Sequence, residues 1–185
     1  NKLLGFNGTI NANIGDPKSS GISTNFNYRT GDINIFNSTG ISDRLRIGDS
    51  YAYSEYYNGD DDSTFIRDNR DWVRENKSLF SNTVLEGYIN DQTSVTTSFL
   101  VSNSDGSNLN ENTTLELDSS ENIINETFRI ENELSKDENY EYSLNFDKRF
   151  NDEGHKLVVD FQIGENTDNE NSILIQNLIS FEQIT

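Results

Sequence analysis

The sequence predicts an all-β protein made of antiparallel up-and-down strands. Apolar and polar residues alternate with a period of two over long stretches, and clusters of Gly, Asn, Asp and Ser separate these stretches. Aromatic residues make up 11% of the 185 residues, although hydrophobic residues reach only 32% and the formal net charge is −18. Because half of every alternating strand is polar, this composition indicates half-polar strands and not a disordered acidic chain.

The N-terminal part of the chain predicts a three-stranded meander. Apolar residues alternate over 6–14, then over 22–28, and again over 33–41. The segment 15–21 holds the single proline, and the segment 30–32 reads Thr-Gly-Asp, so both are predicted turns. Three strands joined by two turns in about forty residues indicate consecutive antiparallel pairing.

The rest of the chain predicts five further strands, which makes about eight in total. Strand four is expected at about 77–89, strand five at 95–102, strands six and seven in the hairpin 140–163, and strand eight at 172–181. The turns at 90–93 and 151–154 close two of these hairpins, and Gly154 supplies a residue suited to positive φ. A smaller hairpin is expected within 114–126, with its turn at 119–121.

The predicted connections differ in length. Those at 30–31, 90–92 and 151–154 are short, whereas 15–20, 44–75, 103–139 and 164–171 are mostly longer and more polar. Short turns at one end and long polar loops at the other are typical of transmembrane β-barrels of the bacterial outer membrane. A soluble β-sandwich adhesin with one buried face has the same alternation, but it gives no reason for short turns at one end and long loops at the other. It remains the alternative.

In the barrel hypothesis the apolar face contacts lipid and the Asn/Ser/Thr/Asp face lines a polar lumen. The residues predicted to face lipid are Phe6, Ile10, Phe26, Tyr28, Ile33, Phe99, Tyr142, Leu144, Phe146, Leu157, Val159 and Phe161.

The predicted loop 44–75 is unusually rich in aromatic residues for a solvated segment. They are Tyr51, Tyr53, Tyr56, Tyr57, Phe65 and Trp72. Tyr and Trp are favoured at binding surfaces, so these side chains are candidates for contact with a flat ligand or a partner. The alternative is that they pack on one another and order the loop.

Several classes of function are not expected. The acidic charge argues against nucleic-acid binding, which requires Lys/Arg patches. His155 is the only His and Cys is absent, so a turn residue is expected there and no catalytic or metal site. Asp60, Asp61 and Asp62 have the oxygen ligands that Ca²⁺ prefers but not the spacing of an EF-hand loop. We therefore expect no enzyme activity and no cofactor.

Four stretches resemble the β-barrel of TonB-dependent receptor-like outer-membrane proteins of the Bacteroidota. They are Gly5-Phe-Asn-Gly-Thr-Ile-Asn-Ala-Asn-Ile-Gly15, Thr24-Asn-Phe-Asn-Tyr-Arg-Thr-Gly-Asp-Ile-Asn-Ile-Phe-Asn37, Tyr88-Ile-Asn-Asp91 and Phe146-Asp-Lys-Arg-Phe-Asn-Asp-Glu-Gly-His155. Each motif is degenerate, but their order and spacing together cover residues 1 to about 165.

The resemblance implies that 1–185 is part of one outer-membrane barrel domain of 22 strands, beginning directly after a plug domain that this chain does not include. It further implies substrate uptake driven through TonB, with lipid, the plug and the rest of the barrel as partners. The chain lacks the terminal aromatic residue that is usual in such barrels. A closed eight-stranded barrel, and a non-transporting structural or accessory subunit (or client) of an outer-membrane protein complex, are the alternatives.

Overall fold

The computed structural model of the chain describes residues 5–57, 63–151 and 154–181, and all regular structure in these residues is β. The strands are β1 (Gly5–Gly15), β2 (Ser19–Arg29), β3 (Ile33–Tyr57), β4 (Ser63–Asn90), β5 (Thr93–Leu117), β6 (Ile123–Arg149) and β7 (Lys156–Ser180). They form one open antiparallel sheet in the order of the sequence. The predicted all-β, up-and-down fold is confirmed. No helix long and apolar enough to span a membrane occurs in these residues.

The prediction of long polar loops is wrong. Residues 45–57 and 63–75 extend β3 and β4, and 106–117 and 123–134 extend β5 and β6. The predicted loop 164–171 and the predicted eighth strand are both part of β7, so the described residues form seven strands. Strand pairing satisfies the backbone groups of a polar segment as well as those of an apolar one, so weak alternation did not prevent strand formation.

The turns that lie within the described residues are short. In the β5–β6 turn, Asp118 Oδ1 accepts hydrogen bonds from the backbone N–H groups of Ser120 and Asn122, both at 2.9 Å. In the β6–β7 connection, Gly154 has φ +95° and Asn151 Oδ1 accepts a hydrogen bond from the His155 N–H at 3.1 Å. Positive φ at Gly154 and a turn position for His155 match the prediction.

The chain divides into two compact units. The first unit comprises Asn1–Arg44, Asn76–Asp105 and Ser135–Asn169, and the second comprises Leu45–Glu75, Gly106–Leu134 and Glu170–Thr185. Strands β3 to β7 contribute residues to both units, and β1 and β2 lie wholly in the first.

The sheet has almost no hydrophobic core. Leu117 is the only large apolar side chain among the described residues that is fully buried, and exposed apolar side chains occur on all seven strands. The accessible surface is 13134 Å², whereas a folded monomer of 21.0 kDa is expected to expose about 9,000 Å². Apolar side chains that a compact domain would bury are therefore exposed on these strands.

Candidate membrane interface and polar face

Strand register sorts the side chains of the first unit onto two faces. Phe6 lies opposite Tyr28, and Ile22 lies between Ala12 on β1 and Ile41 on β3. Directly paired residues of antiparallel strands project from the same face. Phe6, Tyr28, Ile22 and Ile41 therefore share one face, where the rings of Phe6 and Phe26 are 6.2 Å apart.

Side-chain hydrogen bonds extend the assignment from β3 to β4. On the face of Ile41, Asn37 Nδ2 donates to Thr83 Oγ1 at 2.7 Å, and the hydroxyls of Thr39 and Ser81 are 2.8 Å apart. On the opposite face, the hydroxyls of Ser42 and Ser78 are also 2.8 Å apart. The odd-numbered residues Leu79, Leu85 and Ile89 of β4 consequently share the face of Ile41.

Similar contacts assign β5 to β7. The Ser98 and Ser143 hydroxyls are 2.6 Å apart, and Asn145 Nδ2 donates to Asp160 Oδ1 at 2.6 Å. These residues belong to the polar side, so their neighbours Phe99, Leu144 and Phe161 project from the other side.

We call these two surfaces of the first unit the apolar face and the polar face. All twelve residues predicted to face lipid lie on the apolar face. Part of the apolar face carries no charged side chain, and we call it the charge-free band. It comprises the apolar-face residues within 6–14, 22–28, 33–41, 79–89, 95–101, 140–146 and 157–163. The first charges beyond this band include Asp43 on β3, Lys77 on β4 and Asp105 on β5.

The side chains of the apolar face are open to their surroundings. The exposed fraction is 70% for Phe6, 74% for Ile10 and 51% for Phe99. Several polar side chains inside the band are hydrogen-bonded: besides the pairs of β3 and β4, Thr97 Oγ1 donates to the Ser143 carbonyl at 3.0 Å. The face therefore offers apolar surface with Asn37, Thr39, Ser81, Thr83 and Thr97 partnered.

The polar face holds a packed cluster at the end of the first unit where β2 turns into β3. The Arg29 guanidinium lies 5.7 Å from the centre of the Tyr88 ring, and Asn34 Nδ2 donates to Glu86 Oε2 at 3.5 Å. Asn27 Oδ1, Asn34 Oδ1 and Arg29 Nε are shielded from solvent without a hydrogen-bond partner. Buried polar groups usually have a partner, so these three atoms are unusual in lacking one.

The second unit contains the aromatic residues singled out in the sequence, but on strands and not in a loop. The Tyr53 and Phe65 rings stack at 5.7 Å, and the Arg67 guanidinium lies 5.7 Å from the Tyr53 ring centre. Arg67 also pairs with Glu121 at 2.8 Å. Desolvation, followed by the negative charge of Glu121, raises the pKa of the Tyr53 phenol. By strand alternation Tyr51 and Tyr57 project on the same side as Tyr53.

Trp72 and Tyr56 belong to the opposite side of the second unit. The Trp72 indole covers Gly48, where a Cβ would overlap the ring. Arg74 lies 4.8 Å from the Trp72 ring centre and donates from Nε to Asn108 Oδ1 at 3.2 Å. The structure thus divides the predicted aromatic set into a Tyr51–Tyr53–Tyr57–Phe65 group and a Trp72–Tyr56 group.

Sequence reasoning missed a polar pocket on the Trp72 side of the second unit. A cavity of about 100 Å³ is lined by Arg70, Asn110, Asn112, Arg129 and Glu131. Arg129 and Glu131 form an ion pair at 3.3 Å. The signal was charged or amide residues at alternate positions, Asn110 and Asn112 and then Arg129 and Glu131, within the predicted long polar loop 103–139.

A carboxyl pair in the first unit was also missed. Desolvation and the neighbouring carboxylate of Asp168, which is also hydrogen-bonded to it, raise the pKa of Asp137. Both residues lie beyond the charge-free band.

No metal site is found in the described residues. They contain no group of three or more His, Cys, Asp or Glu side chains arranged to hold a metal ion. The candidate calcium ligands Asp60, Asp61 and Asp62 lie outside the described residues.

Comparison with known proteins does not assign the chain to a family. No protein-family model matches the sequence, and no curated protein matches it.

Proposed function

We propose that this chain is part of the wall of a transmembrane β-barrel in the bacterial outer membrane, within a TonB-dependent receptor-like protein that takes up a substrate. The observation that carries the proposal is the charge-free apolar face of the first unit, which is exposed and has no second layer of described residues to cover it. The family resemblance of the sequence supports the same assignment.

The height of the charge-free band suits a bilayer. It spans nine residues of β1 and of β3, eleven of β4 and seven of β2, β5, β6 and β7, and a transmembrane β-strand requires about 9–11 residues when tilted. Backbone groups in hydrocarbon must be satisfied within the protein, and strand pairing does this. The hydrogen bonds of Asn37, Thr39 and Thr97 partner the polar side chains that would otherwise raise the cost of contact with lipid.

The alternative of a soluble β-sandwich needs a second sheet against the apolar face. The described residues form a single sheet, so that sheet would have to come from another part of the protein or from a partner. Lipid covers such a face without further protein, provided that no charged group lies within it.

The polar face then lines the lumen, and the long strands extend past the membrane. Strands β3 to β7 have 25–28 residues, well beyond the roughly 9–11 that cross a bilayer. The second unit, with its tyrosine group and its arginine-lined pocket, supplies side chains for contact with substrate or partner. Gating by a plug and energy from TonB follow from the family resemblance.

Lipid contact is tested with fluorophores on single cysteines. Residues 1–185 contain no Cys, and any Cys elsewhere in the full-length gene product is first replaced by Ser. In the full-length gene product reconstituted into vesicles, Phe99→Cys and Ser98→Cys form a matched pair on adjacent positions of β5. We expect nitroxide-labelled phospholipid to quench a fluorophore at position 99 strongly and one at position 98 weakly. Equal quenching at both positions, or a protein that stays soluble without detergent, would rule out the lipid-facing assignment.

Transport is tested separately from membrane insertion. Cells lacking the gene are expected to lose uptake of one substrate class and to regain it with the intact gene, but not when TonB is absent. An inserted protein whose loss changes no uptake, while it co-purifies with a fixed set of outer-membrane proteins, would indicate the accessory role instead.

A further inference from the structure

The pocket on the Trp72 side of the second unit is positively charged, in a chain that is strongly acidic. It is lined by two arginines, Arg70 and Arg129, and by a single carboxylate, Glu131. The whole chain has 14 Lys and Arg residues against 32 Asp and Glu residues, so an excess of cations around one cavity is contrary to its composition. Because charge complementarity governs which ligands a site admits, the pocket suits an anion.

Strand pairing places the two arginines around the same cavity. Thr114 Oγ1 of β5 donates to Asp68 Oδ1 of β4 at 2.8 Å. Two residues further along β4, Arg70 therefore lies beside Asn112 of β5. Arg129 belongs to β6, on the other side of β5. Neighbouring strands are about 4.8 Å apart, so the backbones of β4 and β6 are separated by about 10 Å, and a small group fits between the two guanidinium groups.

Both guanidinium groups are accessible to a ligand. Arg70 is exposed, and it forms no ion pair with any residue that the structure describes. The Arg129 side chain is 43% exposed, and its pair with Glu131 has a distance of 3.3 Å. A guanidinium group has several N–H donors, so this pair leaves donors of Arg129 for a ligand. Asn112 Oδ1 is shielded from solvent, so this acceptor does not oppose an anion by direct contact.

The size and the net charge of the pocket restrict the ligand further. Its volume is about 100 Å³, whereas pockets that enclose a whole drug-sized ligand have about 300–1,000 Å³. One polar group therefore enters the pocket, and the rest of the ligand stays outside it. Two arginines and one glutamate leave a single excess positive charge, which one monoanionic group neutralises. A carboxylate meets both conditions, and its two oxygens match the fork of guanidinium N–H groups.

We infer that this pocket binds the carboxylate of a small organic anion. The carboxylate oxygens accept hydrogen bonds from Arg70 and Arg129, and the Asn110 side-chain amide supplies a further N–H donor. Glu131 repels a second negative charge, so a phosphate monoester, which is largely dianionic at neutral pH, is disfavoured. Binding depends only on residues of the second unit. The role of the pocket in uptake rests on the proposed function and makes organic carboxylates the substrate class.

The test compares three probes that share a phenyl ring and differ in charge. Benzoate is a monoanion, benzamide is its neutral isostere, and phenyl phosphate is largely dianionic at about pH 7.5. Ligand-observed NMR titration of the full-length gene product gives the Kd of each probe. We expect benzoate to bind at least about tenfold more tightly than benzamide, because hydrogen bonds to a charged acceptor are the stronger ones. Phenyl phosphate should bind no more tightly than benzoate.

Matched variants locate the binding. Arg70→Gln should raise the Kd of benzoate about tenfold, the loss expected for one charge-assisted hydrogen bond. Arg67→Gln, the control on the Tyr53 side of β4, should leave the Kd unchanged. Glu131→Gln should lower the Kd of benzoate and remove the discrimination against phenyl phosphate, because the repelling charge is gone. A folding defect cannot produce this gain of affinity.

Three results would overturn the inference. Equal affinities for benzoate and benzamide would exclude an anion site, and tighter binding of phenyl phosphate than of benzoate would exclude a carboxylate site. Equal losses in Arg70→Gln and Arg67→Gln would exclude this pocket as the place of binding. Each of these results leaves the membrane assignment standing if lipid quenches the label at position 99. Selective benzoate binding by a protein that does not insert into vesicles would support the pocket and refute its role in uptake.

Discussion

Strands β3 to β7 contribute to both units of this sheet, but the two units differ in the charge of their exposed faces. In the first unit one face is apolar and free of charge for about nine residues of each of several strands. In the second unit the side that carries Tyr53 also carries Asp49, Glu55 and Arg67 among its aromatic residues. Both patterns are compatible with strand pairing, but only the first is compatible with hydrocarbon.

Alternation of apolar and polar residues and contact with a membrane are separate properties of a strand. Strand formation requires backbone partners, which both units have through their neighbouring strands. Contact with lipid further requires that charged groups be absent from one face, and only the first unit meets that condition.

The largest difference is expected for a charge placed on β3. Ile35 lies opposite Tyr28 on the apolar face, whereas Ile47 belongs to the second unit and is 60% exposed. Ile35→Arg should lower the free energy of unfolding from lipid vesicles by about 2–4 kcal/mol, as for a cation near the bilayer midplane. Ile47→Arg should change it by less than about 0.5 kcal/mol, as for an exposed surface site. Urea titration measures both changes in the free energy of unfolding, and equal changes would contradict the proposed difference between the units.

A smaller effect is expected for glycine substitution on β3. A methyl group at Gly48 would overlap the Trp72 indole, whereas at Gly40 it would lie 3.6 Å from the Ser23 Cβ, an ordinary contact. Gly48→Ala should cost about 1–3 kcal/mol through overpacking and shift the fluorescence emission of Trp72. Gly40→Ala is the control and should be neutral or slightly stabilising. An unchanged emission spectrum in Gly48→Ala would contradict the Trp72–Gly48 contact.

Removal of an ion pair in the second unit should have a smaller effect on the free energy of unfolding. Arg67 and Glu121 are partly exposed, and such pairs contribute about 0.2–1 kcal/mol. Arg67→Ala should therefore lower the free energy of unfolding by up to about 1 kcal/mol in low salt, with a smaller loss at 1 M salt, where screening removes most of the pair. Lys18→Ala, which removes the pair with Asp43 in the first unit, is the comparison. A loss independent of salt would indicate that packing of Arg67 on Tyr53 dominates.

The smallest effect on the free energy of unfolding is expected for the Asp137–Asp168 carboxyl pair of the first unit, and its sign is the prediction. The pKa of Asp137 is raised above its ordinary value of 3.8, so the folded state binds more protons than the unfolded state just above that value. Stability must then fall as the pH rises through this window. Asp137→Asn should be more stable than the parent at pH 7 and indistinguishable from it below about pH 3.8.

Asp168→Asn provides the matched test of that pair. It should give a smaller gain at pH 7, because it removes the repulsion by Asp168 but not the desolvation of Asp137. The double variant should gain less than the sum of the two single changes, because both remove the same repulsion. A gain in Asp137→Asn that persists at acid pH would show that repulsion between the two carboxylates is not its cause.

Most of the first unit was predictable from residue order, and most of the second was not. Phe6–Ile14, Ile22–Tyr28 and Ile33–Ile41 show clean alternation, and their strands and turns match the prediction. The segments 44–75 and 103–139 alternate too, but Asp49 and Glu111 interrupt the apolar side, so the sequence pattern predicts loops there. The aromatic residues of 44–75 were predicted as candidate contacts. Their division between the side of Tyr53 and the side of Trp72 was not predicted, because it follows from the extension of β3 and β4 through this segment.

Sequence was sufficient for the strand class, the tight turns and the two-faced character of β1, β2 and the first part of β3, because these depend on local geometry and side-chain period. Only the tertiary structure decided the strand lengths, the pairing of Asp137 with Asp168, the pocket between Arg70 and Arg129 and the near-absence of a core. These depend on residues far apart in the chain, which register brings to the same place, and periodicity along one strand carries no information about its neighbour.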